Sequence, residues 1–419
     1  MLASAGSRRR KTTAIAGAAA TLAAVAVAAV LIATSGGTGT AGAGQRSVGR
    51  WTSLTSLATI RGTPDAITLH GGEVLVAGGG VGAVPTAASE LYDPSTGRWS
   101  ATGSLHQARR GARAVLLHDG RVLIAGGVAG GRILASAEIF DPISRRWSPT
   151  GSMHVPRLDC SLNLLSDGTV LAAGGASTTG VPGTAGGQAV RITSSAELYN
   201  PTTGTWARTG SMAVARFEAS GTSLPDGAVL IAGGFGGPPA GGQFQPLAST
   251  EIYGSTPGAF APAARMSEAR ADQDAVALGG PVLVTGGLGG DGSSALASAE
   301  RYSPTTGTWS EAAPMRQARD AAAAAALPDG YVLVAGGQAV DGGTEEPLAS
   351  AELYDPSRNR WLLAGAMACP RSEPAIAALA GGSALVLAGD ATFPGHAPVA
   401  QGCVDRYAPP TAPRRAGNQ

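Results

Sequence analysis

The sequence predicts an all-β fold built from seven small sheets around an axis, and three observations carry that prediction. An aromatic residue followed ten positions later by an arginine occurs seven times, at Trp51/Arg61, Trp99/Arg109, Trp147/Arg157, Trp206/Arg216, Phe260/Arg270, Trp309/Arg319 and Trp361/Arg371. Apolar runs closed by a glycine pair recur between them: Val74 to Gly79, Val122 to Gly127, Val170 to Gly175, Val229 to Gly234, Val282 to Gly287 and Val332 to Gly337. Nine positions before the aromatic stands an acid, at Glu90, Glu138, Glu197, Glu251, Glu300 and Glu352. Self-similarity at a period of roughly 50 residues marks architectures in which one unit cannot bury both faces of its sheet alone. Closed into a ring, such units form a β-propeller, which grows around its axis without splitting into domains.

The first 45 residues obey different physics. Arg8, Arg9, Arg10 and Lys11 precede an uncharged stretch of 23 residues, Thr12 to Thr34, rich in Ala, Val, Leu and Ile. That length exceeds the roughly 7 to 15 apolar residues of a secretory signal and favours a transmembrane anchor with the basic segment (1–11) held in the cytoplasm. Cleavage near Ala41-Gly42-Ala43, in the Gly/Ala/Thr linker 35–45, is the alternative. Either way the bulk of the protein is expected outside the cytoplasm, at the cell membrane or secreted, with 46–408 forming the propeller and 409–419 a disordered tail.

Each unit then reads strand by strand. After the arginine comes a strand of small or apolar residues, such as Ala114 to Leu117, ending in a tight turn such as His118-Asp119-Gly120 or Ser166-Asp167-Gly168. The continuous apolar run follows, as suits a strand buried on both faces. After a variable loop, a third strand carries the acid. A turn such as Asp93-Pro94-Ser95-Thr96-Gly97 leads into a fourth strand with the aromatic.

The glycine pair, the spaced Glu and Tyr, and the wording Ala-Glu-Leu-Tyr-Asp-Pro before the Trp resemble the kelch repeat of bacterial kelch-like propellers. The resemblance covers about 46 to 408 and implies four-stranded antiparallel blades. Six units match nearly in full. In the seventh, Gly389-Asp390 stands for the glycine pair, Asp405 for the Glu, and no Trp follows Tyr407. Trp51 supplies the missing aromatic, so the segment from Arg50 to Leu54 is expected to close the ring as the outer strand of the last blade.

Composition narrows the function. The chain has 63 Gly, 44% hydrophobic and 14% charged residues, as expected of short buried strands and tight turns. Without the N-terminal basic cluster 26 Lys plus Arg face 29 Asp plus Glu. That near-neutral balance argues against nucleic acid as a partner. An Arg and a Glu repeated in every blade read as a structural clamp of charge-assisted hydrogen bonds, and the repeated aromatics as packing between blades.

Function is expected where the repeat breaks. Loops 176–195, 235–248, 288–297, 338–349 and 390–400 vary most and should emerge on the face that carries the arginines. Phe235, Gln243 and Phe244 are the candidate contacts there. Asp159, Glu218, Asp272, Asp274, Asp320 and Glu373, with Arg110 and Arg113 in the second blade and Asp65 in the first, should surround one mouth of the channel. Such acids suit a cation or a polyhydroxylated ligand, the plainer expectation being that they neutralise the adjacent arginines. A protein or glycan of the cell envelope is the expected partner, with no cofactor and no metal.

Catalysis finds little support. Kelch propellers include galactose-oxidase-like copper enzymes, a family whose site needs two tyrosines, two histidines and a cysteine bonded to one tyrosine; this sequence does not supply that set. Its five histidines are scattered and six of its seven tyrosines are repeat positions. A sugar-active enzyme, an oxidase or an epimerase-like isomerase using the mouth, is the alternative. Cys160 reads as a buried thiol, and Cys369 and Cys403 as a candidate disulfide of the last blade.

Overall fold

The computed structural model describes residues 48–179, 189–237, 243–341, 344–391, 399–400 and 402–409. The anchor or signal segment, the linker, the start of the propeller segment at 46–47 and the tail beyond 409 lie outside the described residues.

Seven four-stranded antiparallel sheets form the blades. The innermost strands are Asp65–Thr68, Arg113–Leu116, Ser161–Leu164, Ser220–Ser223, Asp274–Ala277, Ala323–Ala326 and Ala375–Ala378, and each lies against the next around the ring, the last against the first. The ring closes as expected. Arg50–Leu54 pairs with Val404–Ala408, with Trp51 opposite Tyr407, so one blade is assembled from both ends of the chain. No α-helix occurs among the described residues.

Period-2 alternation turns the apolar runs into the core. In the second strand of blade 1, Val74 and Val76 pack against Ala375, Leu385 and Leu387 of blade 7, while Leu75 and Ala77 pack against Val122 and Ile124 of blade 2. Both faces are buried, which is why polar residues are missing from these runs. Each such Val or Leu contributes about 1.5 to 3 kcal/mol of burial.

The aromatics tie blades together through a polar handle. Each tryptophan tilts against the ring of its own third strand, as Trp206 does on Tyr199 at 5.1 Å. Its indole N–H reaches into the preceding blade: Trp51 to Ala364 O (2.7 Å), Trp99 to Thr55 O (3.0 Å), Trp147 to Ser89 Oγ (2.9 Å), Trp206 to Gly151 O (2.8 Å), Trp309 to Ala264 O (2.8 Å) and Trp361 to Ala313 O (2.6 Å). Phe260 keeps the ring contact, at 4.9 Å from Tyr253, without that bond.

In blade 7 the glycine pair sits one residue earlier than expected. Ala388 and Gly389 take the left-handed conformation, at φ 57° and 99°, that Gly78 and Gly79 adopt in blade 1. Asp390 therefore opens the loop that follows.

Candidate functional site

The expected clamp is present in all seven blades, always within one blade. In blade 3, Arg157 donates through Nη1 to Gly174 O (2.8 Å) and Ser195 O (2.7 Å), and through Nη2 to Ser195 Oγ and Glu197 Oε1 (both 3.0 Å). Glu197 also accepts the backbone N–H groups of His154 (2.6 Å) and Val155 (3.0 Å). The arm that crosses from one blade to the next is thereby pinned to the third strand. The pairs Arg61–Glu90, Arg109–Glu138, Arg216–Glu251, Arg270–Glu300, Arg319–Glu352 and Arg371–Asp405 repeat this, and every clamp arginine is at most 1% exposed. Burial pushes the Glu138 and Glu197 carboxyls up, but the backbone N–H donors and the arginine outweigh it and hold both below the usual carboxylate range. His106 and His154 hydrogen-bond through Nδ1 to these same carboxylates, at 3.1 and 2.7 Å.

The variable loops do share the arginine face, and their described residues are largely paired. The residue after each clamp arginine bridges to the first residue of the loop: Gly62 to Gly80, Arg110 to Val128, Leu158 to Ala176, Phe217 to Phe235, Ala271 to Leu288, Asp320 to Gln338 and Ser372 to Asp390. In six blades the loop continues as a two-stranded ribbon, for example Ala176–Thr179 with Ala189–Ile192. The ribbons form a crown with its own apolar cluster, which includes Ile133, Leu158, Phe217, Phe235, Ala271 and Leu288. Phe235 is thus buried in the crown, and Phe244 is half-buried against it. Each packs 5.3 Å from Phe217, and Phe235 is 9% exposed, because a short ribbon must bury one face on something. Gln243 is exposed beside them.

At the mouth, the second residue after every clamp arginine adopts a left-handed conformation: Thr63, Gly111, Asp159, Glu218, Asp272, Ala321 and Glu373, with φ between 47° and 62°. Only one of the seven is glycine, and the conformation costs other residues on the order of 1 kcal/mol each. Backbone bonds run from blade to blade at this level, from Asp159 N to Gly111 O (3.3 Å), Glu218 N to Asp159 O (3.1 Å), Ala321 N to Asp272 O (3.3 Å) and Glu373 N to Ala321 O (2.8 Å). The acids converge: Asp159 feels the charges of Glu373 and Asp272 from two other blades.

The clamp arginines take their ion-paired carboxylates from the third strands, and among the mouth acids Asp274 also acts on one of them, Arg319. Arg113 faces Asp159 at 3.8 Å, and Arg110 reaches over blades 1 and 7 to Thr63 Oγ1 (3.2 Å), Gly82 O (2.9 Å) and Asp390 (3.6 Å). Burial raises the carboxyls of Asp65 and Asp390 to about 6 and of Asp274 to about 7, and raises that of Asp159, with an arginine opposing at each: Arg113 at Asp65 and Asp159, Arg110 at Asp390 and Arg319 at Asp274. Asp320, 1% exposed, accepts from Gln338 Nε2 (3.3 Å) within the crown. Asp390 is the mouth residue that the repeat did not reveal, because it was read as half of a glycine pair.

Cys369 and Cys403 form a disulfide, and Cys160 is buried with a free thiol. The six repeat tyrosines sit against Trp or Phe in the blades. Among the described residues no group of three His, Cys, Asp or Glu is placed to hold a metal ion.

Seven closed blades, each with an arginine clamp and a ribboned loop face, define the class: a clamped β-propeller. Three stretches, 109–154, 269–316 and 321–368, match the family model of the Kelch motif. These three motifs and the seven-bladed arrangement support a kelch-repeat β-propeller family. The comparison with curated proteins returns no match. Among solved structures, a fungal alcohol oxidase of the AA5 family in complex with copper is similar, at 20% identity and a TM-score of 0.67, over 87% of this chain and 77% of the other. At that identity the likeness concerns the fold.

Proposed function

We propose that the protein is a non-enzymatic interaction scaffold, held at the outer side of a membrane by residues 12–34, that binds a protein or glycan of the cell envelope through its crown. One observation carries this reading: apolar side chains from the loops and arms of blades 2 to 6 pack together on the arginine face, so that the described parts of those loops form one preorganised surface. Preorganisation lowers the ordering cost of binding. At the tip of the first ribbon Val81 and Val84 are 50% and 71% exposed, an apolar element for contact.

The direction of the chain ends supports the membrane part. Arg50 pairs with Ala408 at the end of blade 7 remote from the clamp of Arg371 and Asp405, so both ends leave from the turn face, opposite the crown. An anchor attached there leaves the crown pointing away from the lipid. The described residues contain no helix long and apolar enough to cross a membrane, and 12–34 lies outside them.

The test is capture from solubilised envelope by the full chain, beside a variant in which 180–188 and 238–242 are each replaced by Asn-Gly. A component retained by the first and lost by the second supports the crown. Turnover of a sugar that disappears on replacing Arg113 or Asp272, with capture unaffected, would contradict the scaffold reading.

A further inference from the structure

Blades 1 and 7, on either side of the ring closure, depart from the other five at the clamp: blade 1 has Ala88, without a hydroxyl, at the position where blades 2 to 6 have serine, and in blade 7 the departure coincides with the disulfide. In blades 2 to 6 a serine (Ser136, Ser195, Ser249, Ser298, Ser350) offers both its carbonyl and its hydroxyl to the clamp arginine. In three of those blades the same hydroxyl also bonds the crossing arm: Ser136 to Gln107, Ser298 to Glu268 and Ser350 to Gln317. In blade 7 the serine position is Cys403 and the arm position is Cys369, and the two are joined by a bond between their sulfurs. Cys403 still gives its carbonyl to Arg371 Nη1 (3.0 Å), but no hydroxyl remains for Nη2. The acid is shorter as well. Asp405 accepts the arm's backbone through one long bond from Ala368 N (3.4 Å), where each glutamate of blades 1 to 6 accepts two N–H groups.

The altered clamp lies where the ring is joined, and Arg371 there also donates through Nε to Cys369 O (3.2 Å). Val404, next to Cys403, begins the strand that holds Arg50–Leu54, and Gly402 O accepts Leu57 N (3.1 Å) as the chain passes into blade 1. Ser53 Oγ donates to Asp405 itself (2.8 Å). The loop closed by the disulfide, with a sequence separation of 34, contains the two inner strands of blade 7. Cross-linking such a loop lowers the entropy of any state in which that blade has opened. Both cysteines are half-buried.

We propose that the Cys369–Cys403 disulfide is a redox latch on ring closure: it substitutes covalently for the serine clasp of blades 2 to 6, and its reduction selectively frees the N-terminal strand from blade 7. A dithiol reductant supplies two electrons and two protons; the S–S bond breaks, both cysteines become thiols, and the reductant leaves as its own disulfide.

The test is hydrogen exchange on the full chain in detergent, followed by mass spectrometry, with and without a dithiol at neutral pH. Reduction is expected to speed exchange at 50–54 and 404–408 by at least about tenfold, with the third strands of blades 2 to 5 unchanged. The variant Cys369→Gln/Cys403→Ser rebuilds the Gln–Ser clasp of blades 2 and 6; without reductant it should exchange at 50–54 more slowly than the reduced protein and no longer respond to dithiol. Three results overturn the latch: both cysteines alkylating in the untreated protein from an oxidising host, unchanged exchange at 50–54 after complete reduction, or acceleration spread evenly over all seven blades.

Discussion

Replacing Glu197 by alanine removes the carboxylate on which the blade 3 clamp converges. Four groups lose a partner: the N–H of His154 at 2.6 Å, His154 Nδ1 at 2.7 Å, the N–H of Val155 at 3.0 Å and Arg157 Nη2 at 3.0 Å. Arg157 is 0% exposed and keeps Gly174 O, Ser195 O and Ser195 Oγ, so it stays in place as a buried cation without its counter-charge. Stranding one member of a buried pair costs about 3 to 5 kcal/mol. Glu197→Gln keeps the shape but turns an amide N–H toward donors, for about 2 kcal/mol. Glu73→Ala is the comparison, since its partner Arg145 at 3.1 Å is 47% exposed, and such surface pairs contribute at most about 1 kcal/mol. The assay is urea unfolding followed by two probes, because a ring of seven blades need not unfold in one step. A loss for Glu197→Ala no larger than that for Glu73→Ala would refute the clamp as a stabilising device.

Trp206→Phe should cost only about 1 kcal/mol, the bond to Gly151 O, because Phe260 already fills the equivalent place in blade 4; calorimetry checks this. Phe235→Ala should cost about 3 kcal/mol and loosen the crown before the blades, read as faster exchange at 235–236 and 245–246. Asp274 titrates near 7 in the fold and near 4 unfolded, so its contribution is fully present below about pH 4 and is lost as pH rises through 7. Asp274 is half-buried by area, and channel water screens part of that shift, so Asp274→Asn should gain about 2 kcal/mol over the parent at pH 8 and nothing at pH 4. Equal differences at the two pH values would show that burial does not shift this carboxyl.

The scaffold was legible because it repeats. The Arg and the acid at constant spacing from the aromatic, and the apolar run, each reflect one contact that the blades repeat, and Trp51, the aromatic missing from the last unit, located the ring closure. The site was less legible. Phe235 and Phe244 looked like contact residues, and they pack on Phe217, a neighbour that the linear chain places 18 residues from the first. The mouth acids stand beside arginines in sequence, yet the arginine side chains turn into the blade, leaving Arg110 and Arg113 to face the acids. Asp390 was hidden by a one-residue slip, since Ala388 accepts the left-handed conformation that glycine usually marks.

The central claim is that the crown, and not the turn face or the channel, is where the protein binds. Affinity of the captured partner should be measured for the parent chain, for the chain with 180–188 and 238–242 shortened, and for one altered on the turn face by His118→Ala and Asp167→Ala. Loss confined to the shortened crown is the expected result. Full affinity without the crown tips, or loss caused by the turn-face changes alone, would contradict it.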